Sequence, residues 1–174
     1  LVHESDRISR GDLDPGEPIH TDVKEVLRLA GAHDRMRAGL RSLMKIEGDL
    51  QLAQQIQRRT FPDHLPRIEG YCIDARSDPA EQTGGDSYDV IGCGRDADGQ
   101  FVFSVDEADT AVLLLADATG HGIGPALSVS QVRAMLRMAV RLEQTLGDIV
   151  EQMNEQLHAD LPEGRFITAW LGLL

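Results

Sequence analysis

Residues 21–60 contain no proline, and Leu29, Met36, Leu43 and Leu50 recur within them at intervals of seven residues. This stretch predicts one long helix. A strict seven-residue repeat favours helices that wrap around each other, and an amphipathic helix lying on its own domain is the alternative. Glycines at positions 31, 39 and 48 each weaken an isolated helix by about 1 kcal/mol relative to alanine, so the helix needs packing partners. A parallel homodimer through residues 26–57 would supply them.

The composition changes after the prolines at positions 62 and 66, which end the helix. Apolar and alternating stretches between turn signals predict strands, and apolar residues at helical spacing predict two further helices. The order is a helix, several strands, two helices and a strand, which indicates an α+β fold with an antiparallel sheet. The predicted strands are Tyr71–Ala75, Tyr88–Gly92, Phe101–Val105, Phe166–Leu173 and Val112–Ala116, the last buried on both sides, and the predicted helices are Pro125–Arg141 and Leu146–His158.

The chain is acidic, because 17 lysine and arginine residues stand against 29 aspartate and glutamate residues, for a formal net charge of −12. Such a surface repels a phosphate backbone, which argues against nucleic acid as a partner. The longest apolar run, Ala111–Ala116, is far shorter than the roughly 18 to 20 residues of a membrane helix, so we expect no membrane span in this chain. Two cysteines make no disulfide framework, which indicates a reducing, cytoplasmic location.

Two glycine-rich segments each place an aspartate at the end of a predicted strand. Two glycines precede Asp86 at the start of one strand, and a glycine-rich loop follows Asp117 at the end of another. If the strands are neighbours, the carboxylates come close and repel each other unless a proton or a cation lies between them. Oxygen ligands without cysteine or a histidine pair favour Mg²⁺ or Mn²⁺ over zinc. A turn or a helix cap explains each segment alone, but the two together favour a metal site.

Four segments follow in a fixed order along the chain: Glu47–Gln57, Phe61-Pro62, Gly84-Gly85-Asp86-x-Tyr88-Asp89 and Asp117-x-x-Gly120-His121-Gly122. Over roughly residues 45–174 the chain therefore resembles the RsbU/SpoIIE-type serine phosphatases, a bacterial branch of the metal-dependent protein phosphatases. The resemblance implies an αββα sandwich with two Mn²⁺ or Mg²⁺ ions between its sheets. It implies removal of phosphate from serine or threonine, usually on a small STAS-type anti-sigma-factor antagonist. By position, it implies that Asp86 bridges the metal ions, that Asp117 is a second ligand and that the backbone carbonyl of Ala118 is a third contact.

The chemistry implied by this resemblance is direct attack of a metal-bound hydroxide on a phosphomonoester, without a covalent nucleophile from the protein. Ser87 stands where the family usually has a large aromatic residue, and Ala118-Thr119 where it usually has Val-Ser. The family takes further metal-binding aspartates from a later segment. We expect the sequence to end before that segment, so that the phosphatase fold and its site are truncated at the C-terminus. Arg76 is a candidate for contacting the substrate's phosphate.

The N-terminal residues contain a second set of signals, Ile8-Ser9-Arg10-Gly11-Asp12-Leu13 and, after a connector, Glu25-Val26-x-x-Leu29-Ala30. This set resembles the second half of a HAMP signalling domain. The resemblance implies a parent protein anchored in the inner membrane, whose helical stalk transmits rotation or a register change. The predicted organisation is a HAMP-like segment over residues 1–44, a linker or switch helix over 45–62 and the N-terminal portion of a phosphatase domain over 63–174.

Other families with similar loops fit less well. The spacing Gly120-x-Gly122-x-Gly124 departs from the dinucleotide-binding fingerprint, and an aspartate at the strand end would repel a pyrophosphate. ATPases of the histidine-kinase type need an upstream asparagine, whereas the only asparagine, Asn154, lies downstream. The alternative function that stays open is a catalytically weak pseudo-phosphatase, which binds a partner through the same surface.

Overall fold

The computed structural model describes residues 2–16, 20–78, 83–104, 106 and 108–174. The chain divides into two compact units, Leu1–Gln51 and Leu52–Leu174. Across the described residues, no helix combines the length and the apolar character that a membrane crossing requires. In chain order the elements are α1 (Val2–Ser9), α2 (Lys24–Arg58), β1 (Asp86–Arg95), β2 (Phe101–Phe103), β3 (Thr110–Ala118), α3 (Ile123–Arg141), α4 (Leu146–Asp160) and β4 (Ile167–Leu173).

The first unit consists of α1, the segment after it and most of α2. Arg37 of α2 is buried and forms an ion pair with Glu4 of α1. Arg7 donates a hydrogen bond of 2.7 Å to Asp12, and this bond lowers the pKa of the Asp12 carboxyl. Among the described residues of this unit, Leu13 is the only buried apolar side chain, and the Arg37–Glu4 ion pair joins α1 to α2.

The predicted long helix is confirmed, since α2 runs without interruption over 35 residues despite its three glycines. The seven-residue stripe lies at the surface of the single chain. Leu29 and Met36 are each about half exposed, and Leu43 is 63% exposed. The first unit therefore does not cover the stripe with its own residues, and dimerisation through residues 26–57 stays a prediction.

The second unit contains a four-stranded sheet in the order β2-β1-β3-β4, and every neighbouring pair is antiparallel. This confirms the predicted α+β class. The helices α3 and α4 cover one face, here called the helix face. Their apolar side chains form the main core with alternate residues of the strands, and the largest fully buried members are Ile91, Val129, Val132, Leu136 and Ile149. The second sheet of the αββα sandwich stays a prediction.

The opposite face of the sheet, here called the open face, is covered only in part. A small cluster of Ile68, Val90 and Ala111 lies on it, with Ile73 packed against the cluster. Farther along β3, the side chain of Leu115 is 63% exposed. The prediction that Val112–Ala116 is buried on both sides is therefore wrong for its second half, because the covering segment reaches only the first half of β3.

The predicted strand Tyr71–Ala75 is also wrong, because this segment has no strand pairing in the structure. The apolar side chain of Ile73 is used differently: it packs on the open face, while the backbone of the segment remains outside the sheet. The predicted strand Phe101–Val105 is confirmed as β2 up to Phe103, and Val105 lies outside the described residues. The other predicted strands and helices are confirmed with ends shifted by a few residues.

Candidate functional site

Asp86 and Asp117 occupy directly opposite positions in the register of β1 and β3. Asp86 begins β1, and Asp117 is the last residue but one of β3. Directly opposite residues of an antiparallel pair project from the same face, with Cβ atoms about 4.5–5.5 Å apart. Alternation along the strands places both aspartates on the open face, at the end of the sheet where Thr168 of β4 is the next residue in register. The strand adjacency on which the sequence hypothesis depended is therefore present.

Neither the Asp86 carboxylate nor the Asp117 carboxylate forms an ion pair with a lysine, arginine or histidine among the described residues. Like charges directly opposite each other destabilise a sheet. A pair of carboxylates in this position suits a cation with hard oxygen ligands. The described residues contain no group of three or more histidine, cysteine, aspartate or glutamate side chains that could hold a metal ion. The pair and the Ala118 carbonyl therefore fit part of a metal-ligand set.

A cavity of about 460 Å³ borders the aspartate pair on the open face. Arg76 lines it, but its Nε atom lies 2.7 Å from the Asp78 carboxylate, so its charge is already paired. The cavity walls are otherwise partly apolar, and the side chain of Trp170 is 58% exposed. The space beside the carboxylates is accessible and has room for a small ion with its ligands.

The glycines before Asp86 allow two backbone segments to approach closely. A Cβ atom on Gly85 would lie 2.5 Å from the carbonyl oxygen of Ala118, which is closer than any side chain tolerates. The Ala118 amide donates to the Gly85 carbonyl at 3.0 Å. Gly85 is thus required by the pairing that brings the two aspartates together.

Gln57, near the end of α2, forms two hydrogen bonds with the backbone of Gly84, the other glycine before Asp86. Its side-chain amide donates to the Gly84 carbonyl at 2.7 Å and accepts from the Gly84 amide at 3.2 Å. Gln57 is buried, so these two bonds fix the backbone two residues before Asp86. Gln57 is the last residue of the family motif Glu47–Gln57, but the motif predicts no role for it, because nothing in the motif shows that a helical side chain binds a distant glycine.

The loop after Asp117 is shaped by two glycines with positive φ, Gly120 at 95° and Gly122 at 87°. Such angles favour glycine because other residues are strained there. The α3 helix begins directly afterwards at Ile123. The backbone of Thr119 is tied to the segment before β4, since its amide donates to the Phe166 carbonyl at 3.0 Å.

Asp89 belongs to the motif Gly84-Gly85-Asp86-x-Tyr88-Asp89, which predicts no function for it. Its side chain is fully buried on the helix face. Arg137 of α3 donates two hydrogen bonds to it, at 2.6 and 2.8 Å, and the Nε atom of Arg133 lies 2.9 Å from its Oδ2 atom. Burial lowers the pKa of the Arg133 guanidinium. Two arginines four residues apart on one helix, opposite an aspartate on a buried strand face, are the signal that could have predicted this cluster.

Part of the chain matches a known protein family. Residues 107–174, the last 68 of 174, match the family model of stage II sporulation protein E (SpoIIE). The matched region includes Asp117 and excludes Asp86 and the HAMP-like segment, which stays a prediction. No curated protein matches the chain. The family match supports a phosphatase of the SpoIIE type.

Proposed function

We propose that this chain is part of a Mn²⁺- or Mg²⁺-dependent protein serine/threonine phosphatase of a bacterial signalling pathway. Its proposed substrate is a phosphorylated STAS-type anti-sigma-factor antagonist. The observation that supports this most directly is the register of Asp86 opposite Asp117 on the open face. The SpoIIE family match over residues 107–174 supports the same reaction class.

Asp86 and Asp117 would hold the metal ions, and the backbone carbonyl of Ala118 would contribute a third oxygen. When bound, a pair of such ions supplies a water of lowered pKa and a clamp for the oxygens of an in-line displacement at phosphorus. The close approach of Gly85 and Ala118 keeps the strand ends in register. The bonds from Gln57 to Gly84 hold the backbone that leads into Asp86.

The test measures phosphate release from a phosphoserine STAS-type protein by the full-length parent protein. The reaction is run with and without Mn²⁺, beside the variants Asp117→Asn and Asp98→Asn. Asp98 lies in the turn before β2 and is exposed, so its variant controls for the loss of one negative charge. We expect Mn²⁺-dependent release that Asp117→Asn abolishes and Asp98→Asn leaves unchanged.

Equal activity of both variants would refute the proposed role of Asp117. A folded protein that neither releases phosphate nor binds Mn²⁺ would support the alternative function, a pseudo-phosphatase that binds its partner without turnover. Mn²⁺ binding is measured by calorimetry on the same samples, because an inactive protein that still binds Mn²⁺ would contradict the proposed substrate and not the proposed metal site.

We further propose a homodimer through residues 26–57 and a parent protein anchored in the inner membrane. The exposed stripe of Leu29, Met36 and Leu43 supports the dimer, because apolar side chains at a seven-residue interval suit a partner helix. Light scattering on Leu43→Glu should show a shift toward monomer. Ser42→Glu adds the same charge one position away from the stripe, and it should leave the dimer intact. A monomeric wild-type chain would contradict the proposal.

A further inference from the structure

Arg165 lies in the turn between α4 and β4, beside the loop that follows Asp117. Its NH1 group donates a hydrogen bond of 2.8 Å to the carbonyl oxygen of Thr119. The guanidinium passes over Gly120, where a Cβ atom would come within 2.6 Å of NH1. Gly120 therefore leaves the space that this arginine occupies.

The backbone on both sides of this contact is held in place. The Phe166 amide donates to the Thr119 hydroxyl at 3.2 Å, and the Thr119 amide donates to the Phe166 carbonyl at 3.0 Å. Two residues beyond Phe166, Thr168 stands opposite Asp117 in the register of β3 and β4. The turn that contains Arg165 is thus tied to the strand ends at which the aspartate pair lies.

The charge of Arg165 is not neutralised by any described carboxylate, because none lies within ion-pair distance of it. Arg76, the arginine predicted to contact the phosphate, forms an ion pair with Asp78. A guanidinium has five N–H donors in a planar fork that matches the oxygens of a phosphate. The Thr119 carbonyl uses one of these donors, so the others remain for an anion.

We propose that Arg165 binds a non-reacting oxygen of the substrate's phosphoryl group, with the Thr119 carbonyl holding its guanidinium in place, an assignment that rests on the proposed phosphatase function. A phosphomonoester brings negative charge toward two carboxylates. A fixed cation beside the loop after Asp117 offsets part of that repulsion. Arg165 would then be a substrate-binding residue outside both glycine-rich segments.

The test compares the wild-type parent protein with Arg165→Gln, Arg165→Lys and the matched control Arg67→Gln. Arg67 is exposed and follows Pro66, which adjoins Gly92 toward the end of β1 remote from Asp86. Phosphate release from a phosphoserine protein is measured with Mn²⁺ to give kcat and KM, and inorganic phosphate is used as a competing ligand. Binding of inorganic phosphate to the Mn²⁺-supplemented protein is also measured by calorimetry, independently of turnover. Affinity for Mn²⁺ and the melting temperature are recorded for every variant.

We expect Arg165→Gln to lower kcat/KM by about 10- to 100-fold and to weaken phosphate binding by a similar factor, as for the loss of a charged hydrogen bond. Arg165→Lys should retain part of the kcat/KM and part of the phosphate affinity, because lysine keeps the charge but lacks the planar fork of donors. Arg67→Gln should change both kcat/KM and phosphate binding by less than about threefold, because it removes the same charge at an exposed position away from the aspartate pair. Mn²⁺ affinity and melting temperature should stay at the wild-type values.

Two results would overturn the assignment. Phosphate binding in Arg165→Gln equal to that in Arg67→Gln would show that Arg165 does not contact the anion. Loss of Mn²⁺ affinity or of thermal stability in step with activity would show that it only holds the loop. If the wild-type protein releases no phosphate, the proposed function fails, and calorimetric phosphate binding still decides the role of Arg165.

Discussion

Asp86 and Asp89 lie three residues apart in the same strand but in opposite electrostatic surroundings. Asp86 is exposed on the open face, opposite a second carboxylate and without an ion-pair partner among the described residues. Asp89 is fully buried on the helix face, where Arg133 and Arg137 flank it. Side chains alternate between the two faces along a strand, so residues three positions apart project from opposite faces of the sheet. One residue type thus serves two purposes: an unpaired carboxylate is available for a ligand, and a paired one stabilises the core.

The largest expected difference is between Asp89→Asn and Asp86→Asn, which are the same chemical change on the two faces. Asp89→Asn removes the charge that compensates two arginines, one of them largely buried, and should destabilise the protein by about 3–5 kcal/mol. Asp86→Asn relieves repulsion and should change stability by no more than about 0.5 kcal/mol. Urea unfolding of both variants measures the difference. Equal losses would mean that the two faces are not electrostatically distinct.

A second test targets the close approach behind the aspartate pair. Gly85→Ala places a Cβ atom 2.5 Å from the Ala118 carbonyl oxygen, and relief of this clash should cost about 1–3 kcal/mol and separate the strand ends. Gly124→Ala is the matched control, because an added Cβ there meets nothing within 4 Å. Urea unfolding gives the stability change, and Mn²⁺ calorimetry gives the effect on the proposed site. A stable Gly85→Ala variant would show that the loop adjusts freely.

A smaller effect is expected from the contact between α2 and the loop before Asp86. Gln57→Ala removes two neutral hydrogen bonds to Gly84 and should cost about 1–2 kcal/mol. Gln55→Ala, at an exposed position of the same helix, is the control and should be near neutral. If Gln57→Ala lowers Mn²⁺ affinity as well, the two bonds also position Asp86. If both variants leave the free energy of unfolding unchanged, the two hydrogen bonds between Gln57 and Gly84 contribute nothing measurable to stability.

The smallest expected effect is on the rate at which a thiol reagent labels Cys93, which is buried on the helix face. Burial raises the pKa of the Cys93 thiol, whereas Cys72 is exposed. A raised pKa leaves less thiolate at pH 8, so a thiol reagent should label Cys72 first and Cys93 slowly. Asp89→Asn should speed labelling of Cys93, since it weakens the packing of α3 on the sheet. Equal rates for both cysteines in the wild-type protein would contradict the burial of Cys93.

Sequence patterns alone predicted the long helix α2, the α+β class and the strand ends that hold Asp86 and Asp117. These features depend on local signals. Apolar spacing distinguishes helix from strand, proline ends a helix, and glycine before or after an acidic residue marks a tight turn. The SpoIIE match covers only the region from residue 107 onward, so Asp86 and the HAMP-like segment depend on sequence resemblance.

Other features were decided by tertiary structure, because they depend on which segments meet in space. The segment Tyr71–Ala75 is largely apolar, as in a strand, but packs Ile73 on the open face without strand pairing. The bonds from Gln57 to Gly84 and from Arg165 to Thr119 join positions 27 and 46 residues apart. Composition and local spacing hold no information about such pairs. The sequence by itself therefore determined which residues stand at strand ends, and tertiary packing determined which of them face one another and which charges remain unpaired.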